Sequence, residues 1–452
     1  MDAFVIHGGK PLKGDITVNG SKNSALPILT AALLTDQPVT LHAVPKLADI
    51  SNMLRLLAEL GCESRDEHEQ DGAISVTLQT LSTDNSHARY DIVKTMRASI
   101  CVLGPLLAAR GEARVSLPGG CAIGQRPVDL HLRGLETLGA EITLEGGDIV
   151  ARAPAGPGGR RRLRGATVFL GGPFGSTVLG TANVMTAASL ATGTTIIECA
   201  ACEPEVVDLA NLLNAMGARI TGAGSPRITI EGVDSLTGAD HTIIPDRIEA
   251  ATYMMAAAIT GGRITLHNCP IDALLAVVDR LNEAAVKVDI LEQADPMRAT
   301  CQVTMPGGRP ALRPVQVTTQ PHPGFPTDAQ AQLMALLCFA RGNSVITEKI
   351  FPERFLHVAE LTRMGAQAFR QGPTVVISGV DRLIGAQVMA SDLRASAGLV
   401  LAGLAAEGTT TVHRVYHLDR GYHHMETRLT ALGARIERVD AKELDHSSMA
   451  SA

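Results

Sequence analysis

Two hydrophobic patterns alternate along this chain. In the first, apolar residues recur at helical spacing, followed by Gly-Ala or a near equivalent and then a strand-like alternation. Its copies read LRLLAELGCES, LRGLETLGAEITL, ANLLNAMGARITG, VDRLNEAAVKVDI, VAELTRMGAQAF and TRLTALGARIERV, with turns at Gly61, Gly139, Gly217, Ala285, Gly365 and Gly433. A glycine just past a helix supplies the left-handed turn that reverses the chain into a strand. Ala285 breaks that rule, so the fourth copy is expected to turn differently or under strain. The second pattern is a helix rich in Ala and Gly, apolar on nearly all sides, then a turn and a β-branched strand. ASICVLGPLLAARGEARVSL, ANVMTAASLATGTTIIE, ATYMMAAAITGGRITLH and ASAGLVLAGLAAEGTTTVH follow it, and ALPILTAALLTDQPVTLH and AQAQLMALLCFARGNSVITE complete six. Helices of that kind are buried. The expected architecture is α/β, six copies of one unit in two groups of three. The pattern lapses at residues 232–242 (GVDSLTGADHT), the best seam between groups, and residues 153–165 read as a solvated surface excursion.

Composition narrows the picture. The 452 residues suggest two or three domains. A hydrophobic content of 45% is enough for a sizeable core and argues against extended disorder. That core is aliphatic, because the chain has no Trp, 8 Phe and 4 Tyr. A net charge of −6 argues against broad nucleic-acid binding, so an anionic substrate must be held by local cationic clusters. The start MDAFVIHGGK lacks the basic flank and apolar core of a signal peptide, and no run reaches the ~18 apolar residues of a membrane span. A cytoplasmic protein with no membrane association is expected, its 8 Cys reduced. Cys199 and Cys202 form a lone C-x-x-C without a second pair, read as small residues at a strand end.

Candidate chemistry gathers in three places. Gly20-Ser21-Lys22-Asn23-Ser24 opens the first apolar helix, where backbone N–H groups and Lys22 favour an anion; an ordinary capped helix start has the same look. PGGCAIGQRPVDLH places Cys121 among glycines with Arg126 five residues on, a setting that favours a reactive thiolate. Arg97 lies upstream in TMRAS. PHPGFPTDAQAQ carries Asp328, either a helix cap or a general base among substrate hydroxyls. Arg354, Asp392, Arg394 and Arg420 follow at the mouths of later units, and arginine forks suit carboxylate and phosphate. No phosphate-binding G-x-x-x-x-G-K-[ST], no dinucleotide G-x-G-x-x-G after a strand and no H-E-x-x-H is present, so neither cofactor nor metal is expected.

With GSKNSALPIL, TMRAS, LPGGCAIGQRPVDLH, PDRIEAATY, PHPGFPTDAQAQ, DLRAS and YHLDRGY, the chain resembles the enolpyruvyl transferase family from about residue 4 to 439. The shikimate branch of that fold lacks the Cys loop and fits less well. The resemblance implies two inside-out α/β barrel domains of three units each, closing on substrate: residues 22–238, and residues 1–21 with 239–452. It implies transfer of the enolpyruvyl group of phosphoenolpyruvate to the 3-hydroxyl of UDP-N-acetylglucosamine by addition–elimination, with phosphate released. Phosphoenolpyruvate then falls to Lys22, Arg97, Arg126, Arg394 and Arg420. The acceptor falls to Asn23, Thr177, Asp328, Ile350 and the uracil-gripping run Arg126-Pro127-Val128-Asp129-Leu130. Cys121 serves proton transfer and product release, and its counterpart is alkylated by fosfomycin. Lys22, Cys121, Asp328 and Arg420 are the expected catalytic residues. One stretch departs from the family: LGGPFGSTVLGTAN (170–183) is three residues longer than the usual diphosphate-contacting segment, with Thr177, Thr181, Gly171, Gly172 and Gly175 as candidate contacts. That leaves open an alternative acceptor, the 3′-hydroxyl of UMP in nucleoside-antibiotic synthesis. No protein partner is expected.

Overall fold

The computed structural model describes residues 2–70, 73–117, 128–156, 159 and 161–442. Cys121, Arg126 and Pro127 lie outside them. The fold is mixed α/β, in two compact units: residues 2–18 with 245–442, and residues 19–117 with 128–244.

Each unit holds three four-stranded sheets, and all six share one plan. A short edge strand runs parallel to its neighbour, and the next two pairings are antiparallel; Gln316–Thr318, Asn343–Thr347, Thr374–Ser378 and Gln367–Gln371 are one example. The sheets are separate, and no closed barrel forms among the described residues. The N-terminal strand Asp2–His7 lies between Thr409–His413 and Arg435–Asp440, and Lys13–Thr17 pairs with Arg263–Cys269. Two sheets of the C-terminal unit are therefore completed by the first residues of the chain.

The two helix classes of the sequence separate by burial. Every residue of Arg247–Thr260 and of Leu393–Ala405 is buried, whereas Leu356–Arg363 buries only His357 and Leu361. Small residues are needed where the buried helices meet. A Cβ on Gly398 would lie 2.7 Å from the Ala331 carbonyl oxygen, and one on Gly104 would lie 2.3 Å from that of Asn183. Asp246 and Asp392 cap two of these helices by accepting from N–H groups of the first turn.

All six pattern turns are left-handed, with φ of 80° at Gly61, 91° at Gly139, 100° at Gly217, 96° at Gly365 and 97° at Gly433. Ala285 makes the same turn at φ 69°. The fourth copy keeps the geometry and bears the strain, on the order of 1–2 kcal/mol for a residue with a Cβ. No helix among the described residues is long and apolar enough to cross a membrane.

Candidate active site

In the unit of residues 19–117 and 128–244, Ser21 accepts from the Ser24 N–H (3.3 Å) and caps the helix Lys22–Ala31. Lys22, the first helical residue, is buried and its Nζ lies 3.3 Å from Asp49, itself 2% exposed. Helix capping and a placed cation are thus both present at this helix start. Beneath it, the Ser24 hydroxyl donates to the buried carboxylate of Asp208, which also meets His241 Nε2 (2.8 Å) and accepts from the Ile244 N–H (3.2 Å). Asp208 therefore ties the start of this helix to the strand Asp240–Thr242. Asn23 beside it is half-buried.

Arg97 opens a 3₁₀ turn, Arg97–Val102, and is half-buried. Its charge acts on His131, whose ring burial and then Arg97 push down to a pKa of about 3. His131 is neutral, and its Nδ1 lies 2.8 Å from the Asn183 amide nitrogen. That amide nitrogen donates to the Ile100 carbonyl (3.0 Å), and the side-chain Oδ1 of Asn183 accepts from the Gly104 N–H (2.8 Å), fixing the ring against the 97–104 segment.

The helix Asp129–Thr137 starts behind Val128, with Asp129 exposed and Leu130 half-buried. Its Arg133 donates to the carbonyls of Phe169 (2.8 Å) and Gly171 (2.9 Å) and lies over the Phe169 ring. The longer segment then makes a tight hairpin: Gly172 and Gly175 exchange backbone hydrogen bonds of 2.9 and 3.1 Å, leaving Phe174 exposed at the tip. A Cβ on Gly172 would stand 3.0 Å from Leu130 Cδ1. Leu130 and the hairpin are thus adjacent. Thr177 caps the helix Val178–Ser189 by accepting from Gly180. Thr181 is fully buried, its hydroxyl donating to the Thr177 carbonyl and accepting from the Ala201 N–H.

In the other unit, Asp328 is not a helix cap. Its short 3₁₀ turn, Thr327–Ala329, follows Pro326 with no side-chain cap. Its carboxylate accepts instead from Arg354 (2.7 Å) and Arg394 (3.2 Å). Arg394 is 2% exposed; burial works to lower its pKa, but Asp328, Tyr422 and Asp246 overcome this and hold it above its ordinary value. Arg394 also donates to the Tyr422 hydroxyl (3.2 Å), which meets Thr252 (2.8 Å) and accepts from Gln332 (3.2 Å). Asp392, a candidate on sequence, is the cap of the Arg394 helix. Arg420 ends the 3₁₀ turn Val415–Arg420, half-buried; burial and then its charge lower the pKa of His417. Ile350 follows the strand Asn343–Thr347 and is half-buried.

Among the described thiols, burial raises Cys101 and Cys338 to about 12 and Cys62 to about 11, and Cys269 and Cys301 are buried. Only Cys199 and Cys202 among these are partly exposed, and burial then Glu203 raise the pKa of Cys202. Asp49, Asp208, Glu348, Gln332 and Tyr422 escaped sequence reasoning. For Asp208 and Gln332 the signal available was a polar residue at an inward position of an apolar run, VVDLA and AQAQLM.

The model of the family described as EPSP synthase (3-phosphoshikimate 1-carboxyvinyltransferase) matches residues 6–429. A UDP-N-acetylglucosamine 1-carboxyvinyltransferase from Desulfovibrio desulfuricans is 53% identical over 97% of this chain and 99% of its own length. One from Solidesulfovibrio magneticus is 54% identical over 97% of this chain and all of its own, at 100%. Among solved structures, the enolpyruvyl transferase NikO from Streptomyces tendae is similar with a TM-score of 0.84 at 25% identity, covering 97% of this chain and 99% of that one. EPSP synthase from Acinetobacter baumannii shares the fold, with a TM-score of 0.72 at 19% identity, covering 97% and 100%. The chain therefore belongs to the EPSP synthase family of carboxyvinyltransferases, close to the members named UDP-N-acetylglucosamine 1-carboxyvinyltransferase.

Proposed function

We propose that this enzyme transfers the enolpyruvyl group of phosphoenolpyruvate to the 3-hydroxyl of UDP-N-acetylglucosamine, a step of peptidoglycan precursor synthesis, in the cytoplasm. The observation that carries the reading is the Asp328 carboxylate, held on both oxygens by Arg354 and Arg394 and not spent on a helix cap. Each oxygen accepts from an arginine, which fixes the carboxylate in place, and the reading makes it the group that takes the proton of the acceptor hydroxyl. In the reaction, the acceptor oxygen bonds to C2 of phosphoenolpyruvate while C3 takes a proton and the hydroxyl proton passes to Asp328. Loss of phosphate with the C–O electron pair, and of a proton from C3, then restores the enol ether.

Cations must stabilise both the carboxylate and the leaving phosphate. Lys22, Arg97, Arg394 and Arg420 are assigned to phosphoenolpyruvate, together with Arg126. Arg394, pinned by Asp328 and Tyr422, is pre-oriented and loses little freedom on binding. Cys121 is assigned to proton transfer and product release. Asn23, Val128, Asp129, Leu130, Pro127, Thr177 and Ile350 are assigned to the acceptor, with the Gly172–Gly175 hairpin beside Leu130 lying next to its diphosphate. Each unit is read as an inside-out barrel: three sheets, with apolar helices such as Arg247–Thr260, Gln330–Leu337 and Leu393–Ala405 in mutual contact.

Identity of 50–54% to relatives named for UDP-N-acetylglucosamine supports that acceptor over the 3′-hydroxyl of UMP. The test is phosphate release from phosphoenolpyruvate with UDP-N-acetylglucosamine and with UMP in parallel. Release with the sugar nucleotide is expected; release with UMP alone overturns the acceptor, and release with neither overturns the activity.

A further inference from the structure

Glu348 is 0% exposed, and the transfer reaction as described makes no use of it. Its carboxylate is nonetheless fully engaged. Oε1 accepts from the Thr319 hydroxyl (2.7 Å) and from the N–H groups of Ile350 (2.8 Å) and Phe351 (3.0 Å). Oε2 accepts from the Thr327 hydroxyl (2.9 Å). These partners include no cation, and a buried carboxylate left short of donors would be costly, so all four must hold their places.

The donors come from three stretches, two of which follow the paired strands Gln316–Thr318 and Asn343–Thr347 while the third lies in the 3₁₀ turn Thr327–Ala329. Thr319 begins the Pro-rich turn that closes through Gln320 N–H to the Phe325 carbonyl (3.0 Å). Thr327 ends that turn and precedes Asp328. Ile350 and Phe351 follow the strand Asn343–Thr347. Glu348 itself is fastened to the sheet by its N–H, which donates to the Pro373 carbonyl (2.8 Å). The Thr327 oxygen further accepts from Arg354 (3.1 Å), the same Nη1 that donates to Asp328 (2.7 Å). One buried carboxylate thus reaches both residues assigned to the acceptor in this unit: Ile350 directly, and Asp328 through Thr327 and Arg354.

We propose that Glu348 is a positioning residue for the acceptor, the anchor that sets Asp328 and Ile350 in register with one another. The proposal rests on the assignment of Asp328 and Ile350 to the acceptor. A carboxylate suits this place because it presents only acceptors to four donors. In Glu348→Gln one oxygen becomes a donor, so Thr327 must turn its hydroxyl away and its grip on Arg354 changes. Thr327→Val keeps the Glu348 side chain and removes both bonds of the Thr327 hydroxyl, the one it donates to Glu348 and the one it accepts from Arg354, so the link between Glu348 and Asp328 is cut at its middle.

The experiment is steady-state kinetics by phosphate release, varying phosphoenolpyruvate and UDP-N-acetylglucosamine separately, on Glu348→Gln, Thr327→Val and Asp328→Asn. A sub-ångström displacement of a reacting group is expected to lower kcat/KM for the acceptor by about 10- to 100-fold in the first two, chiefly through KM, with the phosphoenolpyruvate KM within about threefold of native. Loss of folded enzyme alone would lower kcat and leave both KM values unchanged, and that result overturns the proposal. Native-like acceptor kcat/KM in both Glu348→Gln and Thr327→Val overturns it as well. Should Glu348→Gln fail to fold, Thr327→Val decides. Asp328→Asn separates the two layers: native kcat there removes the assignment on which the proposal stands, whereas a crippled Asp328→Asn beside native-like Glu348→Gln and Thr327→Val removes Glu348 alone.

Discussion

Replacing Asp328 with Asn tests the centre of the proposed site. The substitution keeps the shape of the side chain and removes its charge, putting an amide N–H₂ where a carboxylate oxygen now accepts from Arg354 or Arg394. Two consequences follow, on different observables. Arg354 and Arg394 are 7% and 3% exposed in their side chains and Asp328 is 25% exposed, so the pairs are largely but not wholly desolvated. Breaking a buried pair from one side costs about 3–5 kcal/mol, and the partial exposure of Asp328 brings the expected loss to about 2–4 kcal/mol. Tyr422 still accepts from Arg394, which limits the damage. Catalytically, loss of the group that takes the hydroxyl proton should lower kcat by roughly 10²-fold or more while both KM values stay within about threefold. Urea unfolding measures the first effect, and phosphate release at saturating substrates measures the second. A variant that loses stability but keeps native kcat would show that Asp328 is only a counter-ion for two arginines, and a different base would be required.

Gly172→Val should raise the acceptor KM about tenfold, with the phosphoenolpyruvate KM within about threefold, because its Cβ would press on Leu130 at 3.0 Å and shift the hairpin; equal loss for both substrates in steady-state kinetics would refute a local role. Fosfomycin should label Cys121, and peptide mapping should find Cys199 and Cys202 as the competing thiols, since Cys101 and Cys338 are buried with pKa values pushed to about 12; adduct chiefly at those two buried thiols would contradict this. His131 sits at a pKa of about 3 in the fold against an ordinary 6.5, so the unfolded chain takes up its proton first as pH falls. Its contribution is complete above pH 6.5 and is lost on acidification at up to about 1.4 kcal/mol per pH unit. Urea midpoints at several pH values should therefore fall below neutrality, and less steeply in His131→Gln; a protein more stable in acid would refute the assignment.

Periodicity along the chain was sufficient to separate two classes of helix, because the face a helix must bury is written in its own local spacing. Fully apolar runs such as Arg247–Thr260 and Leu393–Ala405 became helices buried on every side, and the amphipathic Leu356–Arg363 became a surface helix. The six reversals were also legible, since a glycine after a helix has a local reason to be there. At Ala285 the tertiary structure decided: packing of the unit imposes the left-handed turn on a residue that pays strain to adopt it. Motifs located Lys22, Asp328, Arg394 and Arg420 but not what surrounds them. Asp328 could be read as a cap or as a base, and only the fold, by bringing Arg354 from 26 positions away and Arg394 from 66, showed a carboxylate with other partners. Ser24 meets Asp208 across 184 positions, and Asp2–His7 pairs with strands at the far end of the chain. No local spacing encodes such contacts. They are set when whole sheets close over the apolar helices, and buried carboxylates such as Asp208 and Glu348 are tolerated only because that closure delivers their donors.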